Sequence, residues 1–381
     1  MTAPTAPAAP PELIVGAQRI THQLPGIDPF IFGVYHQDSY PAGNGQLGPD
    51  AALLQGREIG MDFSRQDGWS MYHGDSVPGF PAHPHRGFET VTIVRQGLVD
   101  HADSLGATAR YGEGDVQWLT TGSGVQHGEM FPLVHQDQAN TLDLFQLWLN
   151  LPGKRKMAPP DFTMFWASDI PHFVQTDAQG RQVDVEVIAG DYQPLRNVNG
   201  ADGANGADAA PPPAVRALRP PADSWASEPG ADVAIWIVRL PAGARLTLPP
   251  ASAQARRALY LTTGRSLSVG GVGFDQPVMV EVRPDQPAPL HNPGADPIEV
   301  LVLQGRPIAE PVAARGPFVM NSEAELVQAI RDYQRTEFGG WPWPTAAHTH
   351  GLSGRFAQHP DGRIERPSNA ATATPGVGAA G

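Results

Sequence analysis

The sequence predicts an all-β protein made of two barrel-like halves with a short C-terminal helix. Forty-two glycines and forty prolines in 381 residues favour short strands and turns over long helices. Runs rich in β-branched and aromatic residues recur between turn signals, as in a sandwich or barrel. The rhythm of the first half returns in the second, so a two-fold repeat of one barrel is the economical reading.

In chain order, Val91-Thr92-Ile93-Val94, Val116-Gln117-Trp118-Leu119 and Leu144-Phe145-Gln146-Leu147-Trp148-Leu149 are strand candidates. Arg95-Gln96-Gly97, Asp103-Ser104-Leu105-Gly106 and Gly112-Glu113-Gly114-Asp115 supply turns between them. A proline-bearing crossing at 151–160 leads to a further strand at 183–189. Residues 197–223 are rich in Ala, Gly, Asn and Pro, which predicts a flexible surface insertion. The strand pattern resumes at 233–238, 258–261, 278–282 and 298–303. Ser322 stands three residues before Glu325, the capping-box spacing, and Leu326, Val327, Ile330 and Tyr333 form the apolar face of a helix. The expected domains are 12–155, 156–340 and a polar tail at 341–381, disordered from about 366.

Lys plus Arg is 26 and Asp plus Glu is 39, a net charge of −13. Such a surface repels phosphate backbones, and Lys154-Arg155-Lys156 and Arg256-Arg257 are isolated basic clusters, so direct nucleic-acid binding is not expected. With no cysteine, any metal must sit on His, Asp or Glu. No apolar run approaches a membrane span, and the Ala/Pro-rich start has no signal-peptide pattern, so a soluble cytoplasmic protein is expected.

Among thirteen histidines, His83-Pro84-His85 places two imidazoles at i and i+2, the same face of a strand. His127-Gly128-Glu129 repeats the spacing with one imidazole and one carboxylate. If the two segments are neighbouring strands, His83, His85, His127 and Glu129 converge as metal ligands. Three imidazoles and a carboxylate suit a first-row divalent ion and leave positions open for water, dioxygen or substrate; Mn, Ni, Cu and Zn fit as well as iron. The second half has no comparable pair: His291 stands alone, His172 lies near the crossing, and Leu248-Pro249-Pro250-Ala251 offers no ligand where one would be expected. His348 and His350 share the i, i+2 spacing but lie in the Pro-rich tail and are read as surface residues.

The segment Pro81-Ala82-His83-Pro84-His85-Arg86-Gly87-Phe88-Glu89-Thr90-Val91-Thr92 resembles the first signature of the pirin family, a branch of the cupin superfamily. The stretch from Gly114 through His127-Gly128-Glu129 resembles its second. Phe145-Gln146-Leu147-Trp148-Leu149-Asn150-Leu151-Pro152 and Gly316-Pro317-Phe318-Val319-Met320-Asn321 are also similar to pirin segments. The resemblance implies two stacked cupin barrels, a bicupin, with one iron, Fe(II), in the N-terminal barrel. It carries the ligand role onto His83, His85, His127 and Glu129. Gly128 stands where many pirins have Ser or Ala. Glu89 occupies a position that ligates in the wider cupin pattern; in pirins that duty is transferred to the Glu after the third His, so Glu89 is read as supporting or structural. His101 could orient a ligand imidazole, whereas Asp103 is read as a turn residue.

The resemblance implies two classes of function. One is a non-haem dioxygenase of quercetin 2,3-dioxygenase type, taking a small aromatic molecule and dioxygen, with Glu129 as catalytic proton acceptor. The other is a metal-dependent, redox-responsive regulator that binds a protein partner without turnover. Met71, Tyr72, Phe80, Phe88 and Trp118 are the candidates to line an aromatic pocket.

Overall fold

The computed structural model describes residues 12–177, 179–195 and 212–368. The first barrel is built from two six-stranded sheets. One runs, in spatial order, Asp161–Phe165, Val116–Thr120, Phe88–Gln96, Asn140–Asn150, Phe30–Tyr40 and Gln23–Leu24. The other runs Ile364–Glu365, Phe356–Gln358, Thr108–Gly112, Leu98–Asp103, Val125–Met130 and Gly79–His85. Val94, Leu119 and Leu144 from one sheet meet Val99, Tyr111 and Val125 from the other in a shared core. The second barrel pairs a seven-stranded sheet with a four-stranded one; Val238, Leu259 and Val300 pack there against Leu246, Leu267 and Leu290.

Strand parity decides which face goes where. On Phe88–Gln96, Val91 and Ile93 point outward into a third apolar core, together with Phe145 and Leu147 of the neighbouring strand. Ile235, Ile237, Leu301 and Leu303 of the second barrel complete that core. The large sheets of the two barrels therefore stack face to face, which is why these strands read as continuous apolar runs without alternation.

The strands expected from the sequence lie inside observed ones except that Val233 falls just before Ala234–Leu240, and the helix Glu323–Thr336 starts where its cap predicts. The Ser322 side chain accepts the Glu325 N–H at 3.3 Å. Glu325 in turn accepts the N–H of Asn321 at 3.0 Å, so the reciprocal bond falls one residue earlier than in an ideal capping box. Leu326 and Ala329 are the buried helical positions, and Val327 is exposed, so the apolar face is rotated from the one expected.

Two expectations need correction. Of the flexible insertion that composition predicts over 197–223, residues 197–211 lie outside the described residues. From 212 onward the chain is laid on the second barrel: Val215 and Tyr192 exchange backbone hydrogen bonds, and Val215, Ala217 and Leu218 pack on apolar cores. A few apolar anchors fix the segment although its composition is dominated by Ala and Pro. The tail was expected at 341–381 to be polar and partly disordered; 369–381 lies outside the described residues, but 341–368 docks on the first barrel. Its strand Phe356–Gln358 pairs with Thr108–Gly112, and Trp343 Nε1 donates to the Asp103 carbonyl at 2.8 Å. At the other end, Ile14–Arg19 pairs with Val278–Val282 in the second barrel. Each end of the chain thus completes a sheet of the opposite half. Among the described residues no helix is long and apolar enough to cross a membrane.

Candidate metal centre

Strand Gly79–His85 forms an edge of its sheet and its register shifts between Phe80 and His83, so Pro84 lies on an edge strand and Pro81 in the irregularity, the two settings that tolerate a missing N–H. It runs antiparallel to Val125–Met130 with His83 opposite His127 and Phe80 opposite Glu129, the register shifting between Phe80 and His83. Side chains at i and i+2 share a face, so the pairing brings the imidazoles together. Ring centroids are 4.8 Å apart for His83 and His85, 4.5 Å for His83 and His127, and 4.9 Å for His85 and His127. One ligand atom from each can be chosen so that all three lie within 4.8 Å of one another.

Backbone carbonyls orient two of the rings. His83 Nδ1 lies 2.9 Å from the Pro81 carbonyl, and His85 Nδ1 lies 3.4 Å from that of Pro317. Nδ1–H donation leaves Nε2 with a bare lone pair. Burial pushes the pKa of all three imidazoles below the usual value, which keeps them neutral, the form that ligates. His127 is fully buried, and among the described residues neither of its ring nitrogens is hydrogen-bonded. Such an orphan is costly in a protein interior and fits a nitrogen whose partner is a metal ion.

Glu129 stands beside this cluster, its Oε2 3.8 Å from His127 Nε2. Gln146 Nε2 donates to Oε2 at 2.7 Å, and Thr92 Oγ1 donates to Oε1 at 3.3 Å. Gln146 and Thr92 sit opposite each other on paired strands, so one cross-strand pair holds both carboxylate oxygens. Thr92 and Gln146 are the partners of this candidate carboxylate that motif spacing misses. The sequence signal that could have found Gln146 is its place as the one polar residue in Leu144-Phe145-Gln146-Leu147-Trp148-Leu149.

Above the imidazoles opens a cavity of about 410 Å³, lined by Phe32, Val34, His36, Phe63, Tyr72, Phe80, His83, His85, Glu129, Gln146 and Trp148 among others. Tyr72 and Phe80 line it as expected, and their rings stack with centroids 5.1 Å apart. The remaining pocket candidates do not line it. Met71 belongs to the barrel core, Trp118 faces the second barrel, and Phe88 lies behind Trp148 at 4.2 Å.

The supporting candidates separate cleanly. Glu89 is buried on the outward parity of its strand, where it accepts from Thr120 Oγ1 at 2.8 Å and from Ser224 Oγ at 2.6 Å. It links the two halves and stands apart from the imidazole cluster. The His101 ring lies 5.5 Å from that of His127, but its hydrogen bond goes to Asp103 at 3.2 Å; among the described residues it bonds no ligand imidazole. Asp103 Oδ1 accepts the N–H groups of Leu105 and Ala107, a turn role. His350, expected at the surface, is half-buried with Nε2 2.8 Å from Thr108 Oγ1, and His348 stacks on Trp343. Neither joins the cluster, and no histidine cluster occurs in the second barrel among the described residues.

The four motif segments also meet physically. Buried Lys156 Nζ donates to the Gly87 carbonyl at 2.8 Å, Asn150 Oδ1 at 2.6 Å and the Val319 carbonyl at 3.1 Å. Arg86 Nε donates to the Ser123 carbonyl at 2.7 Å. The first, third and fourth segments are thus pinned by one ammonium, and the second by its neighbouring guanidinium.

Two stacked antiparallel barrels with a three-imidazole cluster inside the first define a bicupin. Residues 16–149 match the Pirin family and residues 235–339 the Pirin C-terminal cupin domain. A Pseudomonas aeruginosa protein named "Putative quercetin 2,3-dioxygenase" is 35% identical over 260 residues, covering 68% of this chain and 79% of its own. A pirin-like protein of Caulobacter vibrioides is 34% identical over 272 residues, covering 69% and 82%. A crystal structure of quercetin 2,3-dioxygenase from Acinetobacter baumannii aligns with TM-score 0.59 and 26% identity, covering 86% of this chain and 98% of that one. The chain belongs to the pirin family.

Proposed function

We propose that the protein is a metal-dependent dioxygenase of quercetin 2,3-dioxygenase type. His83, His85, His127 and Glu129 would hold one divalent ion, iron(II) in the first instance, and the substrate would be a flavonol-like aromatic together with dioxygen. The observation that carries this reading is a held carboxylate beside neutral imidazoles on the floor of a largely aromatic cavity. The names of the relatives at about 35% identity agree with it.

A bound divalent iron supplies Lewis-acid charge and access to one-electron chemistry at that floor. The chain supplies the rest. Phe80, Phe32 and Trp148 offer flat apolar walls that orient an aromatic ring and exclude water. Glu129 receives the proton of the substrate's enolic hydroxyl on a carboxylate oxygen. Gln146 and Thr92 keep that carboxylate aimed while the proton arrives.

Glu129→Gln tests this reading, because the amide keeps size and a coordinating oxygen but loses charge and basicity. Oxygen uptake with a flavonol should fall about 10²–10⁴-fold, as for loss of a general base, while a good part of the metal is retained. Full activity in metal-loaded Glu129→Gln would refute the proton-acceptor role.

A further inference from the structure

Another part of the same cavity's lining carries a hydrogen-bond chain that the proposed chemistry does not use. His36 lies on the inward parity of strand Phe30–Tyr40, and its Nδ1 is 2.9 Å from Tyr72 Oη. Tyr72 Oη donates to Asp38 Oδ2 at 2.7 Å. Asp38 Oδ1 accepts the Ser70 N–H at 3.0 Å. A phenol has one proton, and here it goes to the carboxylate. The bond between Tyr72 and His36 must therefore be donated by His36 Nδ1–H, which leaves Nε2 as a bare acceptor. Burial lowers the His36 pKa to about 4, so the ring is neutral. Nε2 has no hydrogen-bond partner among the described residues, while the ring borders both the large cavity and a small recess shared with Glu129 and Gln146.

The device is held at a cost to the backbone. Tyr72 has φ 56°, a left-handed conformation that aromatic residues rarely adopt. Paired backbone bonds with Asp62, at 2.8 and 2.9 Å, lock it there. Strain of this kind persists where the surroundings over-determine it, as at ligand clamps.

We infer that His36, fixed as an acceptor by Tyr72 and Asp38, receives an aromatic hydroxyl of the ligand and so selects phenols over their ethers. The identity of the ligand as an aromatic rests on the function proposed above. A neutral acceptor in a largely apolar wall discriminates strongly, because a methoxy group in place of the hydroxyl leaves Nε2 desolvated and unpaired.

Calorimetric titration of the metal-loaded protein tests this with two probe pairs: a catechol-bearing flavonol and its O-methyl ether, and 4-phenylphenol and 4-methoxybiphenyl. In each pair the phenol should bind at least about tenfold tighter than its ether. His36→Phe should cut that preference to within about twofold by weakening phenol binding, with ether binding unchanged. Tyr72→Phe, which removes the oxygen that fixes the tautomer, should reduce the preference at least about threefold and mix the imidazole tautomers seen by ¹⁵N NMR. If His36→Phe does not fold, the tyrosine variant decides. A preference surviving in a folded variant, or absent from the wild type for both pairs, overturns the inference. A preference kept in the biphenyl pair while neither flavonol binds would instead remove the flavonol reading and leave the role of His36 standing.

Discussion

Glu89 and Glu129 sit in adjacent signatures, yet strand parity sends them to opposite faces of the barrel wall. Glu89 shares its face with Val91 and Ile93 and is enclosed in the seam between the halves, where burial raises its pKa to about 7 from 4.5. A raised carboxyl pKa means the folded state binds the proton more tightly than the unfolded chain. Its stabilisation is complete below about pH 4.5 and is lost as pH rises through 7. At about 1.4 kcal/mol per pKa unit the swing is about 3 kcal/mol. The advantage of Glu89→Gln over the wild type should therefore be about 2 kcal/mol larger at pH 8 than at pH 5.5; urea unfolding at the two pH values measures it. His127 offers the complementary case. Its two unpartnered buried nitrogens each cost the metal-free protein about 1–3 kcal/mol. His127→Leu should raise the melting temperature in chelator and abolish the rise on adding iron(II). A lower melting temperature in chelator would show that the imidazole is satisfied by something other than a metal. The i, i+2 pairs were legible because their geometry is local. Gln146 and Thr92 were not, because their meeting at Glu129 depends on the register between strands.

The element that the sequence conceals best is the tail. Arg110, fully buried, donates to both oxygens of Asp100 at 2.6 Å, and its Nη1 donates to the carbonyls of Gly351 and Ser353 at 2.7 Å each. The His350 N–H closes the network on Asp100 at 2.9 Å. Nothing in Phe356–Gln358 alternates strongly enough to announce a strand, and its partner lies some 250 residues earlier. Long-range pairing of short polar strands leaves no local period to read. The helix before it was legible for the opposite reason: Ser322 and Glu325 satisfy each other's neighbourhood within one turn. Truncation after residue 340 removes the two carbonyls to which Arg110 Nη1 donates together with the segment that covers it. Hydrogen bonds to charged groups contribute about 1.5–3 kcal/mol each, so losing these two should cost about 3–6 kcal/mol. Denaturant unfolding of the truncated chain measures it, and a midpoint equal to the full-length one would mean the docked tail contributes no net stability.

At the scale of the molecule, the two barrels share an interior. Phe145 and Leu147 from one large sheet and Ile237 and Leu301 from the other belong to the same buried core. Charge crosses the seam as well: Arg95 pairs with Glu299, which also accepts from Arg239 at 3.2 Å. Ser224, from the second half, donates to Glu89 of the first. The crossed chain ends add strands from each terminus to the opposite barrel. Neither half can open without exposing the apolar face of the other, and exposure costs about 25 cal/mol per Å² of apolar surface. The two barrels should therefore unfold in one calorimetric transition although the proposed ligands all lie in the first. Metal binding should move that whole transition. At a free metal concentration one hundred times Kd the linkage is about 2.7 kcal/mol, and it should stabilise the second barrel as much as the first. Hydrogen exchange of the amides in Ala234–Leu240 and Ile298–Gly305 reads this directly, since both strands lie in the second barrel. Their slowest exchange should slow about 100-fold on metal loading. Protection confined to the first barrel, or two separate transitions, would show that the seam couples the halves more weakly than its shared core implies.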